Sequence, residues 1–214
     1  MSKYQFRQSD IYQPGTELPR NRLNISDPAL LHAAESQLLT QAYLTFAAEL
    51  GPDTRLDEAY FMSLHRRSFE GLYDWAGRYR TEDMVKGGSM FCRAVYLEAE
   101  ARRIFGQLER ANFLAEAATA SLDQFAERLA YFQGEIIALH PFYELNGRVT
   151  RLFFDLLVMK QGYAPIDYSV AWQDDAEVGN AYIRASIDCV RRADHQRLTH
   201  IIQAGLSLRD DVQT

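Results

Sequence analysis

The segment from Arg148 to Lys160, RVTRLFFDLLVMK, constrains this chain more than any other. Leu152, Phe153, Phe154, Leu156, Leu157, Val158 and Met159 leave a helix almost no solvent face, so it must run through the middle of a core. A helix surrounded in this way also starts inside the protein. The backbone N–H groups of its first turn have no intrahelical acceptor and need partners. The residues delivered to that start are HPFYELNG, 140 to 147, and Pro141 breaks the helix before them. Asn146 and Gly147 reach the terminus itself, and Arg148 and Arg151, three apart, share a face. A buried helix start with free amides and two arginines is an anion site, and a phosphate fits it best. His140 and Glu144 flank the same loop. A histidine titrates where it can take a proton from a hydroxyl, and a carboxylate can help hold a divalent cation. Singly, each has an ordinary explanation: His140 as a helix-end residue, Glu144 as a solvated acid, Arg151 as the partner of Asp155. Six suitable residues within twelve positions, 140 to 151, favour a functional reading.

The rest of the chain reads as helices around that centre. Ser26 or Asp27 can cap a helix opened by Pro28, with Leu31, Ala34, Leu38, Ala42 and Phe46 at helical spacing and Gly51-Pro52 as its stop. Further helices are expected over 57–73 and 96–111. The stripe Leu122, Phe125, Leu129, Phe132, Ile136 and Leu139 predicts another over 122–139. Two more are expected over 173–192 and 195–208. Gly87-Gly88 sits between short strand-like arms, which reads as a β-hairpin, although a loop there would leave the same pattern. The expected fold class is therefore all-α with one short β-hairpin. Residues 1–26, interrupted by Pro14, Gly15 and Pro19, are expected to form an arm packed on the domain, and 27–214 one domain.

Composition narrows the partners. A net charge of −6 over 214 residues argues against a broad nucleic-acid surface, so no direct nucleic-acid partner is expected. The run LFFDLLVM is too short to span a bilayer and carries Asp155, so no membrane partner is expected either. The start, MSKYQFRQSD, lacks the apolar core of an export signal. Cys92 and Cys189 have no ligand spacing and read as thiols of a reducing, cytoplasmic setting.

The segment HPFYELNGRVTR resembles the Fic family motif H-x-F-x-(D/E)-G-N-(G/K)-R-x-x-R. His140, Phe142, Glu144, Asn146, Gly147, Arg148 and Arg151 match it. Leu145 stands where the family usually carries Gly. NRLNI, ELGP, LHRRSFEGLYDWAGRYR, the FC that ends the hairpin and FAERLAYFQGEIIALHPF are similar to the bacterial Fic toxin branch. The resemblance implies a Fic-type helical bundle with a β-hairpin flap, and transfer of AMP from ATP to a Tyr, Thr or Ser hydroxyl of a target protein, releasing pyrophosphate. It implies His140 as general base, Phe142 as a packing anchor and Glu144 as the Mg²⁺ ligand. Asn146 and the amides around Gly147 would form the anion hole, with Leu145 beside the phosphates and Arg148 and Arg151 on their outer oxygens. The flap, Glu82, Asp83, Met84, Val85, Lys86, Gly87, Gly88, Ser89, Met90 and Phe91, would dock the target as an added strand. Relatives of this branch suggest a type II topoisomerase as target.

Leu145 has two possible consequences: it crowds the phosphates and slows AMP transfer, or it imposes another loop torsion and redirects the chemistry. Phosphoryl transfer, other nucleotidyl transfer and a non-catalytic nucleotide-binding or partner-binding module are the alternatives. Many Fic proteins are restrained by a helix bearing (S/T)-x-x-x-E-(G/N), whose Glu meets the second arginine, here Arg151. In this chain Thr45 and Glu49 are followed by Leu50, and Thr54 and Glu58 by Ala59. A small separate antitoxin protein is therefore expected to supply the inhibitory Glu to Arg151.

Overall fold

The computed structural model describes residues 10–173 and 180–209. Helix α6, Asn146–Lys160, lies at the centre, as its composition demands: Val149, Leu152, Phe153, Phe154, Leu156, Leu157 and Val158 are all buried. Helices α1 (Pro28–Glu49), α2 (Glu58–Phe69) and α5 (Leu122–Leu139) pack around it. Helix α5 is a second axis, set against α3 (Leu97–Arg110), α4 (Ala115–Ala120), α7 (Ala181–Arg192) and α8 (Gln196–Gly205). The β-hairpin is short, with β1 (Val85–Lys86) antiparallel to β2 (Ser89–Met90).

Local chemistry sets the helix starts. Asp27 caps α1 by accepting from the Ala29 and Leu30 N–H groups, and Pro28 opens it. Asp57 accepts from Tyr60 N–H on α2, Ser121 from Gln124 N–H on α5, and Asn180 from Ile183 N–H on α7. No side chain caps α6. The stripe of α5 runs over the expected residues, whereas α2 stops at Phe69 rather than reaching 73. There the chain turns, and Tyr73 donates its hydroxyl to Glu35 of α1 at 2.6 Å. The helix expected over 173–192 begins at Ala181, and 174–179 lie outside the described residues. Helix α8 ends at Gly205, where a Cβ would lie 2.2 Å from the Asp167 carbonyl oxygen, so the chain passes too close for a side chain.

Residues 10–26 lie against the bundle. Arg22 N–H donates to Leu72 O at 2.9 Å, and Tyr12 reaches the motif loop. Among the described residues no helix is long and apolar enough to cross a membrane.

Candidate active site

The motif loop joins α5 to α6 between two non-glycine residues in the left-handed region. His140 has φ 47° and ψ 60°, and Leu145 has φ 69° and ψ 7°. Each such residue costs roughly 1 kcal/mol, so the loop holds its shape only because its surroundings fix it. Phe142 is the anchor. It is fully buried and its ring stacks on Phe61 at 5.6 Å and packs against His65 at 3.9 Å. His65 also holds the backbone. Its Nδ1 accepts from Gly77 N–H at 3.0 Å, so Nε2 carries the proton and donates to Glu144 O at 3.2 Å. Burial pushes His65 down to about 3, which keeps it neutral for that task.

Asn146 ties the motif loop together. Its Nδ2 donates to Phe142 O at 2.7 Å, and its Oδ1 accepts from Phe142 N–H at 2.8 Å. The side chain closes the loop on itself, with one Nδ2–H left beyond that bond, and the residue is 3% exposed at the cavity. Helix α6 begins at Asn146 without a cap, and its first-turn N–H groups have no intrahelical acceptor. Leu145 takes the torsion a glycine would take, and the side chain is only 7% exposed, packed in the main apolar core. The loop path open to glycine is therefore kept.

The two arginines are held differently. Arg148 Nη1 donates to Glu35 of α1 at 3.2 Å, and Tyr73 donates to the other Glu35 oxygen. Burial and the Glu35 charge hold the Tyr73 phenol well above its usual range, so it stays a donor. Arg151 lies over the rings of Trp172 at 4.8 Å and Tyr182 at 5.2 Å. Aromatic faces hold a guanidinium without neutralising it. Arg151 and Asp155 form no ion pair among the described residues; Asp155 accepts from Ile166 N–H at 3.1 Å instead. Arg151 Nη1 lies 3.7 Å from where a Gly147 Cβ would stand, so the charge sits at the helix start. Glu144 is 4% exposed, and its Oε1 accepts from the Tyr12 hydroxyl at 3.2 Å. Glu49 is paired with Arg67, and Glu58 accepts from Tyr79; neither lines the cavity.

The hairpin is partly turned inward. The Met84, Ser89 and Phe91 side chains are buried. Lys86, Gly87, Gly88 and Met90 are exposed. Arg80, which sequence reasoning passed over, lies 1% exposed beneath the hairpin. Its guanidinium donates to His140 O at 2.8 Å, to Glu82 O at 2.5 Å and to Cys92 O. Nothing in GRYR distinguishes it from a surface arginine. Helix α7 was likewise not assigned to the site. With the hairpin and the motif loop it walls a cavity of about 450 Å³, within the usual range for small-molecule sites. His140, Glu144, Leu145, Asn146, Gly147, Arg148 and Arg151 of the motif line it, together with Tyr182, Ile183, Ile187 and Val190 of α7.

An uncapped buried helix start with two arginines and a histidine, roofed by a hairpin, defines a helical domain built to handle phosphates. The Fic/DOC family model matches residues 55–158. The probable protein adenylyltransferase y4lH of Sinorhizobium fredii is 37% identical over 163 residues, 76% of this chain and 82% of that protein. The probable protein adenylyltransferase Fic of Escherichia coli is 34% identical over 160 residues, 75% of this chain and 74% of that protein. The crystal structure of BepC from Bartonella tribocorum with bound AMPPNP shares the fold. Its TM-score is 0.80 at 21% identity, over 93% of this chain and 97% of that one. This chain belongs to the Fic/DOC family.

Proposed function

We propose that the chain transfers AMP from ATP to a Tyr, Thr or Ser hydroxyl of a target protein. The observation that carries this is the convergence of His140, the open start of α6 and both arginines on one cavity beneath the hairpin. His140 takes the proton of the target hydroxyl. That oxygen bonds to the α-phosphorus, the bond from phosphorus to the bridging oxygen breaks, and pyrophosphate leaves. The α6 amides and the two guanidiniums stabilise the charge on the phosphate oxygens. The apolar side of α7 suits the nucleotide base, and the exposed hairpin residues suit a target segment added as a strand.

Mg²⁺ fits the donor set. Glu144 offers a buried carboxylate at the cavity with Tyr12 on one oxygen, and no cluster of three acidic, His or Cys ligands exists among the described residues. Mg²⁺ is commonly held by one or two carboxylates together with substrate phosphates, and it would neutralise phosphate charge there. Glu144→Gln keeps the shape and removes the charge. It should raise the Mg²⁺ concentration for half-maximal activity about tenfold or more. An unchanged Mg²⁺ titration would remove Glu144 as the ligand.

Leu145 in the left-handed region supports AMP transfer rather than a redirected reaction, because the loop keeps the path of a glycine. Leu145→Gly should leave the adduct an AMP, read by the mass of the modified target. It removes a buried side chain at about 2–5 kcal/mol and relieves roughly 1 kcal/mol of torsional strain, so the variant should melt lower. A phosphate adduct from the native chain would overturn the reading.

The fold context also bears on regulation. Among the described residues no carboxylate pairs with Arg151, which suits an acidic group delivered by a separate antitoxin protein. The toxin role, a cytoplasmic setting and a topoisomerase target rest on the resemblance, with two free cysteines in keeping with a reducing compartment. The deciding experiment is a cell lysate incubated with the chain and ATP labelled at either the α- or the γ-phosphate. Protein label from the α-phosphate supports AMP transfer, and label from the γ-phosphate alone means phosphoryl transfer. ATP retained without protein label means a binding module.

A further inference from the structure

Phe91 belongs to the hairpin by sequence, but its ring turns away from solvent and lies on the His140 imidazole. The centroids are 3.7 Å apart and the planes 15° apart. We infer that Phe91 is a positioning residue for His140, so that the hairpin that receives the target also sets the orientation of the base. This rests on the AMP-transfer reading above.

The backbone under the imidazole is already fixed. His140 N–H donates to Ile136 O at 3.1 Å, and its carbonyl accepts from Arg80 Nε at 2.8 Å. The imidazole itself turns about a ring torsion that is intrinsically broad. A flat neighbour at stacking distance narrows that torsion in a way that an irregular aliphatic group does not. An aromatic face also suits both protonation states of the base: it stacks on neutral imidazole and attracts imidazolium. The orientation therefore survives proton transfer, and Phe91 itself exchanges no proton or bond.

Phe91 is held as firmly as the residue it touches. Its N–H donates to Met84 O at 3.1 Å, and the next residue, Cys92, donates its N–H to Ala138 O of α5 at 2.9 Å. Met84 and Val190 pack beside it. Arg80 donates to Glu82 O before β1 and to Cys92 O after β2, as well as to His140 O. One buried guanidinium thus ties both hairpin stems to the backbone of the base. From α7, Arg191 donates to Ser89 Oγ at 2.8 Å and to Gly87 O at 2.6 Å, which restrains the turn.

The test uses Phe91→Leu, which keeps apolar volume but has no flat face, and Phe91→Tyr, which keeps the face. The chain has five histidines, and the His140 ring signal in NMR spectra is assigned by its loss in His140→Ala. In the native chain that signal should be displaced upfield by the Phe91 ring current. In Phe91→Leu it should move back downfield, ATP affinity should stay within about twofold, and turnover should fall about tenfold at unchanged KM for ATP. Phe91→Tyr should restore both the signal and the rate. A native signal without upfield displacement overturns the inference, and this result does not depend on the Leu variant folding. Native turnover by folded Phe91→Leu overturns it as well. If the native chain transfers no AMP at all, the reaction reading fails and the catalytic part of the inference with it, while the ring-current signal separately reports whether the stack forms.

Discussion

His140→Ala should transfer AMP about two to four orders of magnitude more slowly than the native chain while still binding ATP. The two properties separate because different parts of the site produce them. In the proposed reaction, phosphate binding rests on the uncapped start of α6 and on Arg148 and Arg151, which are held by Glu35 and by the Trp172 and Tyr182 rings. The proton of the target hydroxyl has the imidazole as its candidate acceptor at the hairpin end of the cavity. The left-handed backbone at 140 survives the substitution, because Arg80 bonds the carbonyl and Ile136 O accepts the N–H. The measurement is a pair of titrations, equilibrium binding of ATP and the initial rate of protein labelling. Near-native labelling by the purified variant would show that the base lies elsewhere. Lost ATP binding would show that His140 is structural.

Phe142→Ala should lower the stability of the chain by about 3–5 kcal/mol, as deletion of a fully buried ring does elsewhere. The ring fills the space between Phe61 and His65, and nothing nearby can collapse into it without shifting α2. The effect should reach the chemistry too. Both backbone polar groups of Phe142 bond to the Asn146 side chain, and Glu144 is two residues on, so a displaced loop moves the candidate metal ligand and the start of α6 together. Phe142→Leu should retain more of the stability than Phe142→Ala, because it leaves a smaller void. Urea denaturation at a single temperature measures both. A loss below about 1 kcal/mol for the Ala variant would mean that the loop is held by its hydrogen bonds and not by the ring.

What could be read in the sequence follows from periodicity and from covalent limits. Helix α5 occupies 122–139 because its stripe repeats over five turns and Pro141 forbids continuation. Helix α6 is central because RLFFDLLVM has no polar face to give to water. A buried helix start next to His140, Glu144, Arg148 and Arg151 was legible for the same reason, since the residues are contiguous. Gly87-Gly88 marked the turn of the hairpin, and both glycines have positive φ.

The tertiary structure alone decided what those residues do to one another. Asn146 bonds through both ends of its amide to Phe142, four residues back. Arg148 meets Glu35, 113 residues away, and Arg151 meets Trp172 and Tyr182 rather than the Asp155 one turn along its own helix. Arg80 looks like any surface arginine until the hairpin stems and the end of α5 close around it. Glu35, Tyr12 and α7 enter the site only because α1, the N-terminal segment and the C-terminal helices fold back onto the motif loop. Local sequence determines which segments are helical and which face must be buried, because propensity and burial act over a few residues. The partner of each charge depends on which distant groups packing brings within about 3 Å, the range over which a hydrogen bond forms, and no pattern along the chain encodes that distance.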